Sequence, residues 1–142
     1  MTDKQKIKVS AKVFWEGGLK TRSIIRGFEV DSDEPKSKFG TNTAPAPLEI
    51  FISSISSCIL STFIWTIIKA RLTIEDCVID IKAYSDSLGN KEMLSKATIT
   101  ATVWAEKKYQ KKIEQCFNLT KKNCSVANLI ILPIDYILQF KS

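Results

Sequence analysis

The chain contains no histidine. That absence excludes Ser-His-Asp triads, Cys-His nucleophile pairs and every zinc or iron site that needs an imidazole. Closely spaced cysteines are missing too. Cys58, Cys77, Cys116 and Cys124 are 19, 39 and 8 residues apart, so no C-x₂₋₄-C zinc hairpin is present. No metal and no cofactor is therefore expected. Arginine is scarce: only Arg22, Arg26 and Arg71. The first residues, Met1 to Lys6, are polar and contain no apolar run that reads as a secretory signal. A cytoplasmic protein is expected, in which thiols rest reduced and a disulfide would be transient and functional.

The charge balance is +6, but the lysines are scattered. The densest run, Lys107 to Lys112, falls on a predicted helix and reads as a solvated face. No nucleic-acid motif accompanies it, so no nucleic-acid partner is expected. With 44% hydrophobic and 25% charged residues in 142, the chain reads as one globular domain over 1–142 with a genuine core.

Ile7, Val9, Ala11 and Val13 alternate with polar residues and predict a half-buried strand that ends at Gly17-Gly18. Residues 19–26 and 27–32 predict two more short strands. Asp33 to Pro47 carries three prolines and reads as a loop, long enough to suspect function. A helix follows from Leu48 to Arg71, with Pro47 in its first turn and Glu49 where the helix dipole favours an acid. Thr73–Tyr84 and Lys96–Glu106 predict an antiparallel pair turning near Ser87-Leu88-Gly89-Asn90. A polar helix is expected over Lys107–Lys122, then a short helix beginning at Cys124, then a strand over Pro133–Phe140. The order is β-β-β-α-β-β-α-β, an α+β fold.

The central helix is the most unusual element. Ile50–Ile68 is 19 residues without a charge, long enough to cross a bilayer. Seven of those residues are Ser or Thr, and the segment is flanked by strands of one expected sheet. No membrane is expected; a buried helix is. A chain of this size has difficulty covering such a helix on all sides. Ser53, Ser57 and Ser61 form a small-residue stripe that lets another helix approach closely, so a homodimer packed on this helix is predicted.

Cys58 lies in the middle of that helix, usually a place for a small hydrophobe. As a catalytic thiol it would need help, because only a few per cent of a free thiol is ionised at neutral pH. Cys58 is eleven residues past Pro47, too far for its own helix dipole to act. Arg71 is 13 residues on, ~20 Å along the axis. That leaves Arg22 and Arg26. Glu49 falls on the opposite side of the helix, ~13 Å along it, and would orient an arginine only where another segment approaches. Phe51, Ser54, Ile55, Thr62 and Trp65 share the face of Cys58. They predict an apolar, aromatic-lined pocket suited to a hydrophobic substrate. Cys124, at the start of its short helix, is placed where amide groups favour a thiolate. Cys77 and Cys116 read as structural.

Ala44-Pro45-Ala46-Pro47-Leu48-Glu49-Ile50-Phe51 running to Ser56-Ser57-Cys58, with Asn123-Cys124-Ser125-Val126-Ala127 downstream, resembles the OsmC/Ohr family. These are the osmotically induced and organic-hydroperoxide-resistance proteins. Phe14-Trp15-Glu16-Gly17-Gly18 and Gly27-Phe28-Glu29-Val30-Asp31 resemble the opening strands of its OsmC-like branch. The resemblance implies an intertwined homodimer with long central helices and two sites at the subunit interface. It also implies a thiol peroxidase acting on organic hydroperoxides. Carried onto this chain, Cys58 is the attacking thiol and Cys124 the resolving one. Arg22 and Glu49 match the family's activating pair, and a dithiol of the dihydrolipoyl type, or another thiol, is the reductant. One departure stands out: the residue directly after the proline is Leu48, and the acid comes one later, at Glu49. The competing expectation is a dimeric, non-enzymatic module whose pocket binds a small molecule and whose cysteines are structural.

Overall fold

The computed structural model describes residues 9–88, 91–130 and 132–141. The chain divides into two compact units at Phe51/Ile52. In the first, strands β1 (Lys12–Trp15), β2 (Thr21–Ile25) and β3 (Phe28–Ser32) form an antiparallel sheet in that order. Arg26 and Gly27, both at positive φ, make the two-residue turn between β2 and β3, the twist a tight hairpin requires. Of the first predicted strand, Ile7 lies outside the described residues. Val9 and Ala11 precede β1 and are not in it.

The predicted loop before the helix is ordered around one carboxylate. Asp33 is almost wholly buried. It accepts hydrogen bonds from the backbone N–H groups of Glu34, Thr41 and Thr43 and from both threonine hydroxyls. These bonds favour the ionised form and hold Asp33 well below the usual carboxylate range, Thr41 first among them.

Helix α1 (Pro47–Lys69) spans the division between the units. Pro47 is its first residue, where a missing N–H costs nothing. Glu49 Oε2 accepts the backbone N–H of Ala46 at 2.7 Å, one half of a capping box. The helix ends two residues before the predicted Arg71. Arg71 takes a left-handed φ of 55° while Leu72 N–H reaches back to Ile67 and Arg71 N–H to Ile68, a Schellman stop.

In the second unit, β4 (Asp76–Leu88) pairs antiparallel with β5 (Lys91–Trp104), and β6 (Ile134–Lys141) pairs parallel to β5, which is central. A parallel neighbour needs a crossover. Helix α2 (Gln110–Asn123) and the short α3 (Ser125–Leu129) lie between the two strands in sequence and supply it. The hairpin runs further than predicted because a bulge between Tyr84 and Ser85 restarts the ladder; Gly89 and Asn90 of its expected turn lie outside the described residues. A 3₁₀ turn over Lys107–Tyr109 replaces the first predicted turn of α2.

The core of this unit follows from periodicity. Ile55, Ile59, Phe63 and Ile67 repeat on one face of α1 and meet Ile99, Ala101 and Val103 of β5 and Ile113, Cys116 and Phe117 of α2. Fully burying each large side chain is worth about 2 kcal/mol. The Phe63 and Phe117 rings meet edge to face at 5.4 Å. By length and composition α1 could cross a membrane, with a mean hydropathy of 1.8 over its most apolar window. Only 28% of that window is buried. Ser53, Ser57 and Ser61 line its open side.

Candidate active site

The second unit brings Cys58 and Cys124 together. Their Sγ atoms are 3.2 Å apart, both cysteines are reduced, and the Cys124 thiol donates to Cys58. Each reaches this point for a local reason. Cys58 follows Ile55 and precedes Ile59 on α1, so it sits beside the buried stripe and is half-buried itself. Cys124 ends α2 and begins α3. Its N–H bonds the Thr120 carbonyl and its own carbonyl accepts the Asn128 N–H. Its extended backbone turns the chain there, and its side chain is fully buried.

The two thiols differ in character. Burial works against ionisation of Cys58. The Val126 amide, the Cys124 thiol and the Ser125 and Thr62 hydroxyls more than offset it, so the Cys58 thiol lies below its ordinary value. Ser125 Oγ is 3.9 Å from Cys58 Sγ. Burial pushes the Cys124 thiol up, although the Ala127 and Val126 amides favour its thiolate. The start of α3 thus serves both sulfurs, and the more accessible one becomes the better nucleophile. This corrects the expectation that the helix start would make Cys124 a favoured thiolate: full burial outweighs the amides.

The remaining cysteines stand apart from this chemistry. Burial first, and Asp76 beside it, push Cys77 up to about 11. Burial also raises Cys116, whose thiol donates to the Thr66 carbonyl.

An open groove of about 560 Å³ is lined by Ser61, Thr62, Trp65 and Asn123. Thr62 and Trp65, expected in a pocket, are there. Ile55 is not; it is fully buried and belongs to the core. Phe51 lies in the first unit and is 42% exposed.

Arg22 and Glu49, expected as a pair, each have another partner. Arg22 stands opposite Asp31 in the β2–β3 register and donates Nε and Nη2 to its two carboxylate oxygens at 2.8 and 3.1 Å. Glu29 lies 3.8 Å from the same guanidinium. The Arg22 hydrogen bonds hold Asp31 below the usual carboxylate value. Arg26 lies over the Phe28 ring at 5.1 Å. Glu49 caps α1 as described. Sequence reasoning did not assign roles to Ser125, Asn123 and Asp33. Ser125 had a legible signal, a hydroxyl directly after a cysteine at a helix start.

Among the described residues no group of three or more His, Cys, Asp or Glu side chains is arranged to hold a metal. The fold and site together define an α+β protein with a dithiol poised at a helix junction. The sequence model of the family described as OsmC-like protein matches residues 40–138, so this chain belongs to the OsmC-like family. The match includes Cys58, Cys124 and Glu49, while Arg22 precedes it.

Solved structures share the fold. An OsmC-like protein from Mycoplasma pneumoniae aligns with a TM-score of 0.83 at 15% identity, covering 97% of this chain and 100% of that one. An organic hydroperoxide resistance protein OsmC from Legionella pneumophila gives 0.71 at 18% identity, covering 98% and 100%. An organic hydroperoxide resistance protein from Elizabethkingia anophelis, with thiocyanate bound, gives 0.71 at 17% identity, covering 98% and 99%. No curated protein sequence matches the chain.

Proposed function

We propose that this protein is a thiol peroxidase that reduces organic hydroperoxides through Cys58 and Cys124. The observation that carries the reading is the 3.2 Å sulfur–sulfur approach between a half-buried thiol held low and a fully buried thiol pushed high. The names of the Legionella and Elizabethkingia relatives, both organic hydroperoxide resistance proteins, support the substrate class.

In this mechanism the Cys58 thiolate attacks the distal oxygen of the hydroperoxide. The O–O bond breaks, the alkoxide takes a proton and leaves as an alcohol, and Cys58 becomes a sulfenic acid. Cys124 then attacks the Cys58 sulfur. Hydroxide leaves with the Cys124 proton as water, and a disulfide forms. Two electrons from an external dithiol, or from two thiols, restore the pair. The protein works in a reducing, cytoplasmic setting as a homodimer that covers the open Ser53–Ser57–Ser61 side of α1. Arg22 and Glu49 keep the roles the resemblance implies, as cation and orienting acid.

The groove beside Thr62 supports a second reading, a small-molecule-binding module with inert cysteines. One experiment separates the two. Thiols are counted before and after one equivalent of cumene hydroperoxide. The peroxidase loses two thiols, and peptide mapping finds Cys58 joined to Cys124. Cys58→Ser consumes nothing. Cys124→Ser consumes one equivalent and stalls as a sulfenic acid that dimedone traps on Cys58. Cys77→Ser and Cys116→Ser behave as wild type. An unchanged count of four in the wild type overturns the peroxidase in favour of the binding module.

A further inference from the structure

We infer that, once Cys58 and Cys124 are joined, the reducing thiol attacks Cys58 and expels Cys124. The inference rests on the disulfide in the reading above and assigns the direction of its reduction. Thiol–disulfide exchange runs along the S–S axis, and the attacked sulfur must be open on the side away from its partner. Cys124 has no exposed surface. It is enclosed by its own chain at the α2–α3 junction, in the cluster that includes Ile113 and Phe117. Docking a partner without rearranging the α2–α3 junction only removes surface, so it leaves Cys124 enclosed. Cys58 is half-buried, and Thr62, which bears on its sulfur, lines the open groove. Any hydroperoxide that meets Cys58 has used an open path, and a thiol can follow it.

One effect runs the other way. The more acidic thiol is the better leaving group, and burial makes Cys124 the weaker acid of the two. Taken alone, that favours attack on Cys124. Access decides, because leaving-group acidity scales a rate whereas a sulfur without surface offers no trajectory until the helix junction opens. The Ala127 and Val126 amides also lie where they stabilise the expelled Cys124 thiolate.

The first step makes one bond between the incoming sulfur and Cys58 and breaks the Cys58–Cys124 bond. Cys124 leaves as a thiolate and takes up a proton. A second thiolate, from the same dithiol or another monothiol, then attacks the outer sulfur of the mixed disulfide. It releases Cys58 as a thiolate and carries away the new disulfide, so two thiols supply the two electrons.

The test uses the full chain and makes the disulfide with diamide, so it does not depend on any reaction with peroxide. The oxidised protein is exposed briefly to 2-mercaptoethanol, quenched in acid, alkylated with N-ethylmaleimide and mapped. The mercaptoethanol adduct is expected on Cys58 and the maleimide on Cys124. In parallel, Cys124→Ser and Cys58→Ser are incubated with 2-hydroxyethyl disulfide. Cys58 should exchange at least about tenfold faster than Cys124, since a buried thiol is inert. An adduct mapped to Cys124, equal exchange rates, or no Cys58–Cys124 disulfide with diamide would each overturn the inference. A protein inert to hydroperoxides that still gives the Cys58 adduct would end the peroxidase reading and leave this one standing.

Discussion

The two three-stranded sheets of this protein are held in opposite ways. In the first unit, β1 is exposed along its whole length, and Trp15 is 77% and Phe28 62% exposed. Order there comes from polar fixings: the Arg22–Asp31 pair across β2 and β3, the Asp33 carboxylate with its ring of donors, and glycine turns. In the second unit, Ile99 and Val103 of β5 have no exposed surface, nor do Phe63 of α1 and Ile113 of α2. Apolar burial is non-directional and roughly proportional to area, whereas a polar fixing depends on charge state and geometry. Among the described residues, the buried apolar cluster lies in the unit that positions the two sulfurs.

The sharpest way to break this contrast is to truncate one aromatic in each unit. Phe63→Ala should cost about 3–5 kcal/mol, the range for a large buried aromatic, read from urea denaturation. Trp15→Ala should cost far less, because most of its surface is already in water. A comparable loss at Trp15 would mean that the open sheet is covered in solution.

Acid sharpens the contrast from the polar side. Asp33 titrates below an ordinary carboxylate, so the ionised folded state is favoured. Its contribution is complete above the unfolded value of about 3.9 and is lost as the pH falls below it. Asp33→Asn should therefore lower the melting temperature at pH 7, and its gap to the wild type should narrow below about pH 4. A gap that does not change with pH would remove the carboxylate's charge from the explanation.

The smallest effect concerns which unit tunes Cys58. Ser125→Ala and Thr62→Val each remove a hydroxyl that favours its thiolate, so the pH midpoint for iodoacetamide alkylation should rise and the rate at pH 7 should fall a few-fold. Arg22→Met should slow alkylation less, since Asp31 already binds its guanidinium, and Arg26→Met less still. Unchanged rates for Ser125→Ala and Thr62→Val would show that hydroxyl donors do not set the acidity.

Much of this was legible in the residues. The run of elements, the break at Cys124 and the solvated lysine face of α2 follow from periodicity and local turn chemistry, which act over a few residues. The exposed Lys107, Lys108, Lys111 and Lys112 and the buried Ile113, Cys116 and Phe117 are one pattern seen from two sides. Ile55 misled because a helical wheel gives the direction of a side chain and not what it meets. It shares a face with Cys58, yet β5 and α2 close over it. The in-chain partner of Arg22 was hidden for a related reason: it is fixed by the β2–β3 register, which places Asp31 directly opposite. The Asp33 knot was invisible because its donors, Thr41 and Thr43, lie eight and ten residues on, in a loop without periodicity.

What the sequence determined by itself was chemical possibility. Without histidine, proton transfer and metal binding through imidazole are closed, and an uncharged helix with a thiol at its middle must be largely removed from water or covered by a partner. The family resemblance named Cys58 and Cys124 as the pair, but only the tertiary structure brings their sulfurs to 3.2 Å and makes them differ. Cys58 and Cys124 are 66 residues apart in the chain. Their approach depends on how α1 and α2 seat against β5, a matter of packed surfaces that no local window of residues contains. The same packing leaves one sulfur within reach of solvent and encloses the other. Burial is a property of everything surrounding a side chain, and for Cys124 those surroundings come from segments far away in sequence.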